Sequence, residues 1–351
     1  MKVTVLVTGA GALLGQGVIK SLRLAGRDYR IVAADPDPRG VALYWADAAY
    51  LVPMASAPDY VDVIGRVLER ERPAAVLIGT DRELLPLACN RKRLEAAYHT
   101  RIVVSSPDLI RMADDKWLTY QFLKSNGFPH PRSALPDGVD ALLRECDFPL
   151  VVKPRKGARS EGVYSVNDEE DLRFALRRTR NAIVQESVGT PDDEYTSGVL
   201  VSDDHVHSVV TMRRDLRDGN TYRAYVVPDS PFDSFLAQVA RKLHGFGPVN
   251  LQFRVENGVP KIFEINARFS GTTPLRAYAG FNEVDHFLRH VLRGDSIPTP
   301  SLRNFVVLRY WDELVIDPER LDAMSAAAPR RDAIPRQHHA TVHQEVLARE
   351  P

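Results

Sequence analysis

Two short segments near residue 260 carry the residue types best suited to chemistry. Gly247-Pro248-Val249-Asn250-Leu251-Gln252-Phe253 and Phe263-Glu264-Ile265-Asn266-Ala267-Arg268 each read as a strand. Asn257-Gly258 between them is a strong hairpin signal. A hairpin brings Gln252 opposite the Glu264–Asn266 region. Alternation then sends Glu264, Asn266 and Arg268 to one face, and turns Phe263 and Ile265 the other way into a core. Hard oxygen ligands on one face suit Mg²⁺, which is held by one or two carboxylates plus substrate phosphates. The guanidinium beside them suits a phosphate or an acyl phosphate. The same pattern also fits the polar outer face of a surface hairpin.

Further upstream, Asp115-Lys116 is followed by Val151-Val152-Lys153-Pro154. Lys153 ends an apolar strand, where a purely structural lysine is uncommon. The segment Arg155-Lys156-Gly157-Ala158-Arg159-Ser160-Glu161-Gly162 combines two glycines, small residues and three cations. Such a loop can close over a polyphosphate with backbone N–H groups and positive charge, or be an ordinary solvated turn. Ile183-Val184-Gln185-Glu186-Ser187-Val188 is an apolar strand running into an extended polar linker, whose free backbone groups can pair with a flat purine edge. Glu194, one strand later, is placed to take ribose hydroxyls. Taken alone, this is a strand with an exposed end.

The elements that must position these residues fall into two patterns. Residues 1 to about 110 alternate strand and helix: strands at 3–7, 30–34, 75–78 and 101–104, helices at 15–25, 60–71 and 82–97. This βαβ series implies a parallel sheet with helices on both faces. One helix is expected from Pro107 to Lys124. From Leu150 onward short strands dominate, an α+β pattern, and a strand is expected over 305–316. The expected units are therefore 1–110, then 111–300 (a smaller part at about 115–187 and a larger, metal-binding part at about 188–300), then a loose tail at 301–351. Thr8-Gly9-Ala10-Gly11-Ala12-Leu13-Leu14-Gly15 lies between strand and helix, with Asp35 ending the next strand. That is a dinucleotide fingerprint in its usual context. With Tyr120, Lys124, Ser105 and Ser106 it resembles a short-chain dehydrogenase using NAD(P), an alternative that leaves residues 150–276 unexplained.

The chain has 351 residues, 44% of them hydrophobic, and 46 basic residues balance 46 acidic ones. No global field attracts nucleic acid or an anionic membrane, so neither is expected as a partner. Two distant cysteines, Cys89 and Cys146, fit a reducing cytosol, and a cytoplasmic protein is expected. The apolar run at 3–7 is too short for a signal peptide, and no run is long enough to span a membrane. His338, His339 and His343 read as solvated tail residues.

In order and spacing, Asp115-Lys116, Lys153-Pro154, the Gly157–Gly162 loop, Gln185-Glu186, Glu194-Tyr195-Thr196, Gln252 and Glu264-Ile265-Asn266-Ala267-Arg268 resemble the ATP-grasp superfamily. Phe269-Ser270-Gly271-Thr272-Thr273-Pro274-Leu275, Ala34-Asp35-Pro36-Asp37-Pro38 and Tyr44-x-Ala46-Asp47 extend the likeness toward the synthetase repeats of the carbamoyl phosphate synthase large chain. The resemblance covers residues 1–300. It implies a Rossmann-like pre-ATP-grasp domain followed by an α+β ATP-grasp domain, hence an α/β protein. It implies that Lys116 and Lys153 contact the α/β-phosphates, and that the loop with Lys156, Gly157, Ser160 and Gly162 covers them. Gln185, Glu186 and Val188 would line the adenine hinge, and Glu194 would hold the ribose. Gln252, Glu264 and Asn266 would carry Mg²⁺, with Mn²⁺ as an alternative, and Arg268 would steady the transferred phosphoryl group.

The resemblance implies an ATP-dependent carboxylate–amine ligase acting through an acyl phosphate. Its partners would be a small carboxylate and an amine, and a homodimer is compatible. The non-catalytic alternative is an ATP-binding regulatory subunit. Arg213, Arg214 and Arg276 are candidates for the substrate carboxylate, with Arg276 placed beside Lys153 and Arg268 in the catalytic set. Three departures stand out: a single synthetase unit, which argues against carbamoyl phosphate synthesis itself; an amide at Gln252 where a carboxylate is common; and an unusually basic phosphate loop.

Overall fold

The computed structural model describes residues 2–157 and 160–326; the tail histidines lie outside them. The first unit is a five-stranded parallel sheet ordered β3-β2-β1-β4-β5. Its strands are β1 (Val3–Thr8), β2 (Tyr29–Asp35), β3 (Ala48–Leu51), β4 (Ala75–Ile78) and β5 (Arg101–Val103). Central strands covered on both faces must be apolar throughout. Val5, Leu6 and Val7 in β1, and Ala75, Val76 and Leu77 in β4, are accordingly fully buried. The short β3 was not foreseen, because four residues between two turns carry too little periodicity to register.

The single helix expected from Pro107 to Lys124 is two, Pro107–Asp114 and Lys116–Ser125. Asp115 between them is extended (φ −113°, ψ 111°) and accepts a hydrogen bond from Trp117 N. An N-cap of this kind starts a new helix whatever the apolar period says. Arg155 fixes the same carboxylate at 2.6 Å. The second helix is thereby anchored to the strand that carries Lys153.

A four-stranded antiparallel sheet ordered β6-β9-β7-β8 follows, with β6 (Ser133–Ala134), β7 (Leu150–Pro154), β8 (Tyr164–Val166) and β9 (Ala182–Glu186). The largest sheet is antiparallel and ordered β14-β13-β10-β11-β12-β15. It comprises β10 (Glu194–Ser202), β11 (His205–Arg217), β12 (Asn220–Val226), β13 (Gly247–Glu256), β14 (Val259–Asn266) and β15 (Val306–Leu308). The strand expected over 305–316 shrinks to β15, and a helix, Pro318–Ala326, follows it.

The β13–β14 hairpin forms as its turn residues require, pairing Gln252 with Glu264 and Asn250 with Asn266. Next along, Phe253 pairs with Ile262, so Phe263 is the extra residue of a bulge. This corrects the expectation that Phe263 enters the core. Ile262 and Ile265 are fully buried instead, while Phe263 is half-buried and faces the cleft. The apolar face of β10, β13 and β14 shares one core with β1, β4 and the helices Tyr60–Glu71 and Asp81–Tyr98. One continuous core under both sheets gives the cleft a rigid floor.

Candidate active site

A cleft of about 330 Å³ opens above that floor, lined from the first sheet, the four-stranded sheet and the six-stranded sheet. At its centre is the β13–β14 face. Glu264 lines the cleft, and its Oε1 accepts from Asn266 Nδ2 at 3.0 Å. Asn266 Oδ1 in turn accepts from Arg268 Nη2 at 3.0 Å. Gln252 Oε1 accepts from Arg214 Nη2 at 2.6 Å, and Gln252 Nε2 donates to Asn250 Oδ1 at 3.2 Å.

Glu264 has no ion pair among the described residues. Those residues also contain no cluster of three or more His, Cys, Asp or Glu side chains able to hold a metal. One unpaired carboxylate beside amide oxygens already engaged by arginines does not make an all-protein cage. It fits a Mg²⁺ ion that keeps its waters and arrives on a polyphosphate.

Beside this face lies a cationic seat. Lys153, at the end of β7, is only 8% exposed, with its Nζ 5.5 Å from the centre of the Phe263 ring. Burial and the nearby Lys116 press its ammonium pKa down to about 8. Lys116 Nζ donates to the Gly157 carbonyl at 3.0 Å, tying helix to loop. Gly157 and Ser160 line the cleft. Lys156 does not; it sits outside on Asp114 at 3.1 Å. Gly162 also lies off the cleft wall, with a left-handed φ of +68° and its face against Pro154. These two expected phosphate contacts are therefore absent from this conformation.

Gln185, Glu186, Val188 and Glu194 all line one end of the cleft. The Gln185 side chain is buried and donates to Ser133 Oγ at 2.8 Å. Glu186 accepts from Lys261 Nζ at 2.8 Å and from Arg132 N at 2.9 Å. Glu194 is clamped from two sides, by Arg214 at 2.7 Å and Arg254 at 2.9 Å. Arg214 thus belongs to the Glu194–Gln252 network. Arg213 points away, onto Asp215 and the face of the Tyr225 ring.

At the opposite end, Arg268 reaches from the hairpin to Asp81 of the first unit, with Nε 2.6 Å from Oδ1. Arg276 corrects the sequence reading. It is 1% exposed and lies outside the cleft lining. Its guanidinium is occupied by Glu283 at 2.8 and 2.9 Å and by the hydroxyls of Ser270, Thr272 and Thr273. The Cα of Gly198 packs against it, where any Cβ would come within 2.5 Å of the guanidinium. It braces the loop that follows β14, and no substrate can reach it.

Sequence reasoning missed Arg309, which lines the cleft just past β15 and donates to the Gly271 carbonyl. A three-residue strand in a segment of weak periodicity gave no signal for it.

The dinucleotide-like loop is closed upon itself. Asp35 accepts from Gly11 N at 2.7 Å and from Asp37 N at 3.0 Å, so both carboxylate oxygens hold backbone. Gly15 approaches the Gly9 carbonyl so closely that a Cβ would meet it at 2.3 Å. The glycines here serve close packing. Ala12, Leu13 and Leu14 from the loop tip form a rim of the cleft. The Tyr120 ring packs on Trp117 and His130 and its hydroxyl meets Lys124 Nζ at 3.1 Å; neither Tyr120 nor Lys124 lines the cleft.

Three family models match the chain in succession: a PylC-like N-terminal domain over residues 5–102, a RimK-like ATP-grasp domain over 113–231, and an ATP-grasp in the biosynthetic pathway with Ter operon over 178–312. The carbamoyl phosphate synthase large chain of Methanothrix thermoacetophila is 22% identical over 330 residues, 85% of this chain. The chain spans only 30% of that relative's length. Among solved structures, N5-carboxyaminoimidazole synthetase from Staphylococcus aureus complexed with ADP superposes with a TM-score of 0.66 at 16% identity, covering 88% of this chain and 81% of that one. L-amino acid ligase from Bacillus licheniformis gives 0.62 at 18% identity, covering 84% and 74%.

The two sheets of the grasp unit and the parallel sheet before them define a mixed α/β protein of the ATP-grasp type. The two ATP-grasp models together account for residues 113–312. Among the described residues no helix is long and apolar enough to cross a membrane.

Proposed function

We propose that the protein is an ATP-dependent carboxylate–amine ligase that works through an acyl phosphate. The observation that carries this reading is the set of charges in one cleft that have no ion pair among the described residues, with the lysines Lys116 and Lys153 on one side and the carboxylate Glu264 on the other. A triphosphate and a carboxylate repel each other, and bringing them together requires fixed cations and a divalent ion. Mg²⁺ delivered with ATP supplies charge neutralisation between the phosphates and Glu264. Gln252 and Asn266, both hydrogen-bonded into the same face, orient Glu264 and the surrounding donors.

Lys153 and Lys116 hold the phosphates, with Gly157 and Ser160 above them. Because the Gln185 and Glu186 side chains are already hydrogen-bonded, the hinge through Val188 offers an adenine its backbone. Glu194, held rigidly by two arginines, faces the ribose hydroxyls. A substrate carboxylate oxygen attacks the γ-phosphorus, the bond to the β-phosphate oxygen breaks, and ADP departs. Arg268, positioned by Asp81 and Asn266, steadies the acyl phosphate. An amine nitrogen then attacks the acyl carbon, losing a proton as inorganic phosphate leaves. Gly157 and Ser160, which line the cleft, would help keep water from the acyl phosphate.

The test is trapping with hydroxylamine and MgATP against amino acids and small carboxylates. A hydroxamate formed with one acid is the expected result and names the donor. ATP binding without hydroxamate or ADP release would replace this reading with a non-catalytic ATP-binding subunit.

A further inference from the structure

Arg309 is the one cleft arginine, among the described residues, without a carboxylate. Arg214 and Arg254 share Glu194, and Arg268 holds Asp81. Among the described residues no carboxylate lies within salt-bridge distance of Arg309. Its one side-chain hydrogen bond there is to a neutral carbonyl, that of Gly271. Burial alone lowers its pKa below the ordinary guanidinium value, with no acid offsetting the cost. A sheltered guanidinium left unpaired is costly, and the cost is relieved when an anion enters beside it.

Arg309 is a cation additional to Arg268, which already serves the face where the reacting carboxylate must lie. The reacting carboxylate must lie at the Glu264–Asn266–Arg268 face, on β14 at one edge of the large sheet. Arg309 follows β15 at the other edge and is held there by its backbone N–H to Tyr222 O at 3.1 Å. The backbone of Arg309 therefore starts five strands from β14, and its side chain reaches back to the loop three residues beyond Arg268. The guanidinium meets the loop beyond β14 at Gly271, whose Cα packs against Leu13 of the N-terminal rim. The cation therefore faces a cleft end with an apolar wall, where a charge–charge contact is stronger than in water.

We propose that Arg309 binds a second, non-reacting carboxylate carried by one of the two substrates. The inference rests on the ligase reading above and narrows its substrate class. Either the amine is an amino acid, or the donor is a dicarboxylate. Arg309 is then a binding and specificity residue with no part in phosphoryl transfer.

The experiment compares wild type with Arg309→Ala and Arg309→Lys on amino acids and on mono- and dicarboxylates, each beside its analogue lacking one carboxylate. If the second carboxylate is on the amine, Arg309→Ala raises KM for the amino acid about 30-fold or more. It also erases the preference over the decarboxylated amine, while the hydroxylamine-trapped rate, which needs no amine, keeps its KM for the donor. If it is on the donor, KM in the hydroxylamine assay rises for the diacid and stays put for the monoacid. In both cases Arg309→Lys recovers part of the loss. Unchanged discrimination in Arg309→Ala overturns the proposal.

A second readout needs no turnover: thermal melting with MgADP and the same carboxylates. Stabilisation of wild type that is lost in Arg309→Ala supports the site even where no hydroxamate forms. Absence of any Arg309-dependent shift overturns it independently of the ligase reading.

Discussion

The glycine loop of the first sheet and the cleft above the large sheet look alike as sequence. Each has glycines, a carboxylate at or near a strand end, and small residues around it. In the structure they differ in what is left unpaired. Asp35 gives both oxygens to backbone N–H groups, and Gly15 is in contact with the chain before it. The loop's acid is taken up in holding the loop itself. In the cleft, Lys116, Lys153, Glu264 and Arg309 all line the space without an ion pair among the described residues. Buried polar groups are normally satisfied, so their partners reveal which motif is architecture and which is a site.

The largest effect expected from this contrast comes from exchanging acids on its two sides. Glu264→Ala should lower Mg²⁺-dependent ADP formation about 10³-fold, the scale of removing several kcal/mol of metal-assisted charge stabilisation. Circular dichroism should be unchanged, because within the described residues the carboxylate's one hydrogen bond is from Asn266. Asp35→Asn should do the reverse, leaving turnover near wild type and lowering the melting temperature. Equal loss of activity in both variants would erase the distinction drawn between loop and cleft.

Much of this was legible in the residues themselves, for identifiable reasons. The hairpin was readable because Asn257-Gly258 fixes the turn and alternation fixes the face. Lys153 stood out because a lysine ending an apolar strand needs an explanation. What escaped reading depended on how segments turn back on one another. Arg276 looked available although Glu283 is only seven residues on. No periodicity shows that the turn between their two helices brings the carboxylate onto the guanidinium. Arg309 was invisible because its place in the cleft is set by the pairing of β15 with β12 and by a side-chain contact with Gly271. At Phe263 a one-residue bulge reversed a correct periodicity, a shift that depends on the partner strand. Asp115 is the milder case. Its capping signal was present, but the apolar period on either side ran through it.

Arg276 sharpens the comparison from inside the grasp unit. It is a buried ion pair, whereas Arg309 is a cation awaiting a partner. Arg276→Leu leaves Glu283 buried and uncompensated, which should cost about 3–5 kcal/mol of stability. Denaturant unfolding would record this, while ADP formation per folded molecule should fall little. The double variant Arg276→Leu with Glu283→Leu should recover part of the stability, because removing both charges removes the orphaned one. A selective collapse of kcat in a fully folded Arg276→Leu would return this residue to the catalytic set.

The smallest effect concerns Lys153, and it gives opposite signs for ligand binding and for stability. Burial and Lys116 hold its folded-state pKa at about 8, below the ordinary lysine value of 10.5. Above pH 8 the ligand-free protein loses the ammonium that the phosphates need. The dissociation constant for the nucleotide should then rise with pH, approaching tenfold per unit.

Stability of the ligand-free fold moves the other way. Between pH 8 and 10.5 the unfolded chain still binds this proton and the folded chain does not, so unfolding free energy rises with pH over that window. Below 8 both states are protonated and this contribution is flat. The Lys153→Arg variant carries a guanidinium that stays charged throughout, and it should flatten both trends. Calorimetric ADP titrations and melts at about pH 7, 8, 9 and 10 would read the two signs in one series. A nucleotide affinity independent of pH in wild type would mean that Lys153 is not a phosphate contact, and the cationic side of the cleft would rest on Lys116 alone.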